Sequence, residues 1–103
     1  MALKLSSTSR EFVRVPVEAT EDGLPVNPTA DDVSMAFLAS GTEPEAADWQ
    51  DAEWEVDGDT YYARCLVGPG GTIELPNGKY VVWVRIIDNP EIPVIPSGTL
   101  QIT

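Results

Sequence analysis

The side chains able to do chemistry in this chain are mostly carboxylates. The sequence holds 17 Asp and Glu, 6 Lys and Arg, and no histidine. Without histidine, the commonest general base and the commonest zinc ligand are both missing. A Ser, Thr or Cys nucleophile would then need a carboxylate or a lysine beside it. Lys4 and Lys79 fall in an arm and in a turn. Paired carboxylates can cleave glycosides, but a chain of 103 residues has little room for the cleft that such work needs. "GPGG" at 68–71 lacks the Lys-Ser/Thr pair and the helix that follow a phosphate-cradling loop. Hard oxygen ligands for calcium exist in Glu55, Asp57, Asp59 and the Asp31-Asp32 pair. They lack EF-hand spacing, and a hairpin turn accounts for Asp57-Gly58. Cys65 is single, so no internal disulfide can form. It sits in an apolar strand pattern and reads as a small buried hydrophobe. These residues give no catalytic, cofactor-binding or metal site, and the chain reads as non-enzymatic.

Recognition chemistry is better represented. In "YVVWVRII", Tyr80, Val82, Val84 and Ile86 share one strand face, and Val81, Trp83, Arg85 and Ile87 share the other. A strand with one dry face needs only one apolar set. Trp and Arg beside aliphatic side chains are frequent interface anchors. Two covers suit the second set. One is the chain's own link "NPEIPVIPSG", which offers Ile92, Val94 and Ile95; the other is a second chain. The prolines restrain that link and blunt edge pairing. Trp49 and Trp54 raise the same question. They lie five apart and so do not share a strand face, and one of the three tryptophans is expected in the core. Leu3 and Leu5 alternate within a polar arm. The expected partner-binding residues are Leu3, Leu5, Trp49, Trp54, Val81, Trp83, Arg85 and Ile87.

Charge narrows the choice of partner. The formal net charge is −11, which argues against nucleic acid and against an anionic membrane surface. Like-charged copies repel, which favours solubility at high copy number. Glu43, Glu45, Asp48, Asp51, Glu53, Glu55, Asp57 and Asp59 lie in one segment without Lys or Arg. From Thr60 onward, Glu74, Asp88 and Glu91 are balanced by Arg64, Lys79 and Arg85. The acidic stretch reads as a solvated loop and edge strand. No stretch reaches the roughly 18 apolar residues of a membrane span. "MALKLSSTSR" lacks the apolar run of a signal peptide, which predicts a protein made and folded in a cytoplasm.

The elements that must position these residues are short strands. Residues 1–9 read as an N-terminal arm and 10–103 as a single domain. "REFVRVPVEAT" places Val13, Val15, Val17 and Ala19 on one face, and Pro16 points to an edge or a bulge. Asp22-Gly23 is a tight turn. "VSMAFLA" is a strand with Val33, Met35, Phe37 and Ala39 on one face. Pro44 to Gln50 fits one short helical turn with Thr42 as its cap. "EWEV-DG-DTYYARCLV" is a hairpin turning at Asp57-Gly58. Its return strand carries Tyr61, Ala63, Cys65 and Val67 on one side. "TIEL" is a short strand. "LPNGKY" resembles a tyrosine corner, in which the phenol bonds back to the backbone. A last hairpin joins Tyr80–Ile87 to Thr99–Ile102. These elements predict an all-β, immunoglobulin-like antiparallel β-sandwich of about seven short strands with an extended N-terminal arm. An open barrel is the competing architecture.

Three frames carry a family resemblance: "LSSTSREFVRVPVEATEDGLPVNPTADDVSMAF", "DTYYARCLVGPGG" and "GKYVVWVRIIDNPEIPVIPSGTLQIT". They resemble small virion proteins of tailed phages and prophages of actinobacteria. Their order is also similar to that of the immunoglobulin-like modules of phage baseplate and tail proteins. The resemblance implies a non-enzymatic structural protein of the virion, synthesised in the host bacterial cytoplasm. Its implied roles are head-associated, as capsid decoration or a head-tail neck component. Implied partners are capsid, portal or connector, and tail proteins, with many copies in a symmetric assembly and no nucleic acid, membrane or cofactor. The alternative is a tail or baseplate accessory module that binds a host surface glycan. That role needs Trp49, Trp54, Tyr61 and Tyr62 on one patch.

Overall fold

A computed structural model of the chain describes residues 2–18, 20–21, 24–25, 27–87 and 92–103. The expected place of Ala19, the Asp22-Gly23 turn and positions 88–91 of the proline link lie outside the described residues. The strands are β1 (Ala2–Leu5), β2 (Glu11–Val17), β3 (Thr20–Glu21), β4 (Leu24–Pro25), β5 (Asp32–Leu38), β6 (Gln50–Asp51), β7 (Glu53–Asp57), β8 (Thr60–Val67), β9 (Gly78–Ile87) and β10 (Val94–Ile102). They form a five-stranded sheet in the order β1-β10-β9-β5-β6, a three-stranded sheet β2-β8-β7 and a small β3-β4 ribbon. The two larger sheets pack face to face as the expected β-sandwich. The strand order is that of an immunoglobulin-like sandwich whose first strand has joined the sheet of the last.

Period-two alternation explains the core. β2 is buried at Val13, Val15 and Val17 and exposed between them. The opposite wall is Val33, Met35 and Phe37 on β5, Val82, Val84 and Ile86 on β9, and Leu100 and Ile102 on β10. Ala63, Cys65 and Val67 complete it from β8. Each fully buried side chain of this size contributes roughly 1.5–3 kcal/mol. The hairpin turns where expected, with Asp57 paired to Thr60 and Gly58 at a φ of 60°. Pro16 lies on β2, an edge strand, as its missing N–H requires. The Tyr80 hydroxyl donates to the Pro76 carbonyl at 2.6 Å, which makes the tyrosine corner.

Several expectations are corrected. The arm is a strand: Ala2–Leu5 pairs with Thr99–Ile102, and this pair is parallel. Ser7 N–H donates to the Thr103 carbonyl at 2.8 Å, and Thr103 N–H donates to the Leu5 carbonyl at 2.9 Å. The last strand starts at Val94, five residues before the expected Thr99. Pro96 is tolerated there. Ile86 N–H bonds to the Pro93 carbonyl, so by alternation the Pro96 nitrogen turns away from β9 to the free edge. "TIEL" forms only an isolated bridge from Ile73 to Val67. Its backbone is spent on a tight loop, with Thr72 N–H to the Leu66 carbonyl and Gly68 N–H to the Ile73 carbonyl. The helical turn is a single 3-10 turn at Ala46–Asp48, capped by Glu45 and not by Thr42. No tryptophan is fully buried in the core, and Trp54 packs against it from the rim; Met35 holds its centre with no exposed surface.

Candidate functional site

Five of the eight expected partner-binding residues gather on the outer face of the five-stranded sheet. Val81, Trp83, Arg85 and Ile87 alternate with the buried set of β9 and are all half-buried. Register carries the pattern across to β5, where Leu38 faces Val81, Ala36 faces Trp83, Ser34 faces Arg85 and Asp32 faces Ile87. β6 follows, with Asp51 beside Ser34, so Trp49 two residues earlier falls beside Ala36. The Arg85 guanidinium lies over the Trp49 ring, 4.7 Å from its centroid, and donates to the Ser34 hydroxyl at 3.2 Å. Beneath this layer Ser34 is 5% exposed and Ala36 not at all. β5 is thus sealed on both faces, although only one of them meets the other sheet. Small residues on β5 let the two indoles and the arginine close over the strand.

The other three residues lie elsewhere. Leu3 and Leu5 sit in register with buried Leu100 and Ile102 and pack against the core. Trp54 is on the three-stranded sheet opposite Ala63, whose small side chain leaves room for the indole. It packs against the core at the rim and donates from Nε1 to the Asp31 carbonyl at 2.8 Å.

The described part of the proline link does not roof the outer face. Ile92, Val94 and Ile95 are 49%, 45% and 46% exposed. Val94 and Pro96 extend the sheet beside Arg85 and Trp83. Between β10 and β2 the sandwich opens into a cleft of about 350 Å³ lined by Pro16, Val17, Val84, Ile86, Ile95 and Pro96. A proline on each bounding strand disfavours addition of a further strand there.

The outer face of the three-stranded sheet is built differently. Glu55 accepts from Arg14 and, at 3.0 Å, from Arg64, and Arg64 lies 3.7 Å from Glu53. The Arg64 guanidinium covers the Phe12 ring at 4.1 Å, and that of Arg14 covers Tyr62 at 5.7 Å. The hydrogen bond from Arg14, followed by that from Arg64, holds the Glu55 carboxyl below its ordinary range. Burial pushes the Cys65 thiol up to about 12, which keeps it protonated and unreactive. Among the described residues no three His, Cys, Asp or Glu side chains group as metal ligands. Among the described residues no helix is long and apolar enough to cross a membrane.

The sequence pointed to β9 but not to Ser34 and Ala36, which carry the aromatic layer. The available signal was "SMAF", where Ala36 is an apolar residue on the polar side of the alternation. Comparison with protein-family models, curated proteins and solved structures gave no match for this chain.

Proposed function

We propose that the chain is a non-enzymatic structural protein of a tailed-phage particle. It is head-associated, as a capsid decoration or a head-tail neck component, and works through protein–protein contacts. The observation that carries the contact role is the outer face of the five-stranded sheet. There Val81, Trp83, Arg85 and Ile87 share a face with Trp49, whose ring lies under Arg85, with apolar Val94 in register with Arg85. Trp and Arg anchors on an apolar ground are what a protein interface uses. The assignment to a particle rests on the resemblance of the three sequence frames to small phage virion proteins. A chain of net charge −11 suits a protein present in many copies.

The glycan-binding alternative has less support. Its aromatic platform is dispersed: Trp49 is on one outer face, Trp54 turns inward, and Tyr62 stacks with Arg14 on the opposite outer face. The deciding experiment is the copy number per particle, from quantitative mass spectrometry of purified virions against the major capsid protein. A count comparable to that of the capsid protein supports decoration, and a count near a ring number supports a neck component. Absence from the particle rejects the virion role.

A further inference from the structure

We infer that the open edge of β7 takes on one further strand, an extended segment of a partner protein in which Lys or Arg alternates with aliphatic residues. This is a second surface, and it stands apart from the reading of the outer face of the five-stranded sheet.

An open strand edge is a template for another chain, and the usual guards against it are shortness, proline, lysine or a bulge. Among the described strands the other margins carry such a guard. β1 holds Lys4, β2 holds Pro16, and β3, β4 and β6 are two residues long. The first half of β10, which β1 does not reach, holds Pro96. β7 differs. It is five residues long, contains neither proline nor lysine, and pairs with β8 without a shift in register.

The backbone of that edge is open. Asp57 and Thr60 close the two-residue turn as a hydrogen-bonded pair. Bonded and non-bonded pairs alternate along an antiparallel ladder. Glu53 and Glu55 therefore bond to β8, and the N–H and C=O groups of Trp54 and Val56 point to the open side. Among the described residues β8 is the only strand beside β7, and no loop backbone bonds to Trp54 or Val56. Val56 is 56% exposed, more than any other large hydrophobic residue described.

The side chains of β7 select the occupant. Trp54 and Val56 lie on the core side of the sheet, with Trp54 packed at the rim. Glu53 and Glu55 lie on the outer side, where they meet Arg64, and Asp57 follows by alternation. A strand laid beside β7 sets its own alternate residues against these two rows. The inner row favours an aliphatic neighbour that covers Val56. The outer row favours Lys or Arg. Asp57 makes no ion pair among the described residues, and Glu53 lies as far as 3.7 Å from its arginine. The whole-chain charge of −11 draws in a basic segment and repels an acidic one. A second copy does not suit the edge, because β7 against β7 sets carboxylate beside carboxylate along the outer row. Main-chain bonds would supply affinity, and the two rows specificity.

Amide hydrogen exchange of the full chain, read by NMR, tests the inference with a synthetic peptide that alternates Lys and Val. In the free chain the Trp54 and Val56 amides should exchange faster than those of Glu53 and Glu55. Excess peptide should slow both by about tenfold or more, which charge attraction alone would not do. A peptide alternating Glu and Val should leave them unchanged. Val56→Pro removes an N–H that faces the open side, as Pro16 does on β2, so the fold should stand and the protection of Trp54 should vanish. Glu53→Lys/Asp57→Lys should reverse the preference, so that the Glu–Val peptide protects and the Lys–Val peptide does not. If the proline variant does not fold, this charge reversal makes the same test. Exchange at Trp54 and Val56 that the Lys–Val peptide leaves unmoved at millimolar concentration overturns the inference. Equal protection by the two peptides does so too, as does a Val56→Pro chain in which Trp54 is still protected.

Discussion

The two outer faces of this sandwich are built from the same strand alternation and reach opposite solutions. On the three-stranded sheet the outward charges pair with one another. Two arginines hold Glu55 between them, and each stacks on an aromatic ring of the same face. On the five-stranded sheet the outward residues of the central strand are Val81, Trp83 and Ile87 with Arg85 among them, and Arg85 lies over the Trp49 ring. The first arrangement is closed and presents little that a partner could improve. The second buries Ser34 and Ala36 as deeply as a core does, yet leaves Trp83, Val81 and Ile87 partly exposed.

The largest expected effect comes from Ala36→Asp. If the five-stranded face is a sealed layer, a carboxylate under the indoles should cost about 3–4 kcal/mol in urea unfolding. A cost below about 0.5 kcal/mol, as on an ordinary surface, would break the comparison. Next is Trp83→Ala, expected to cost about 2 kcal/mol, less than a fully buried tryptophan because the side chain is partly exposed. Cys65 serves as an internal reporter for this variant. Its thiol is buried and raised to about 12, so alkylation at neutral pH should proceed only when the sandwich opens. Trp83→Ala should leave Cys65 protected in native buffer; rapid labelling would mean that the outer layer holds the two sheets together.

The smallest effect is on the three-stranded face. Glu55 is held below its ordinary value when folded. The stability it contributes is therefore present above about pH 4.3, its value in the unfolded chain, and is lost as pH falls through the lower folded value. Glu55→Gln should lower stability slightly above about pH 4.3, leave it unchanged well below the folded value, and so flatten the acid limb of a stability–pH curve. An unchanged acid limb would show that the arginines do not depend on this carboxylate.

Much of the fold was legible because alternation is a local signal. Val13, Val15 and Val17 announce β2 and its buried side, and Asp57-Gly58 announces the hairpin. The double apolar set of β9 announces a strand with something on both faces. What escaped depended on distant partners. Ala2–Leu5 is too short to read as a strand until Thr99–Ile102 lies beside it. Pro93 and Pro96 argued for a link, but Pro96 has its nitrogen on the free edge, where a strand loses nothing. The tryptophans misled through bulk. Strand parity, not size, decides which way they point, and the parity of Trp49 is fixed only by the pairing of β6 with β5. The candidate face was half legible for the same reason: its β9 residues are contiguous in sequence, while Ala36, Ser34 and Trp49 join them only through register.

The parallel pairing of β1 with β10 has a mechanical consequence. β1 starts at the end of the pair where β10 is still approaching, and β10 finishes at the end where β1 departs. Tension applied through the two ends of the domain would pull these strands lengthwise past each other. The hydrogen bonds between them would share the load in shear instead of parting one at a time. The two bonds that join Ser7 and Leu5 to Thr103 extend that clasp. Among the described strands this pair is the one a stretching force meets first.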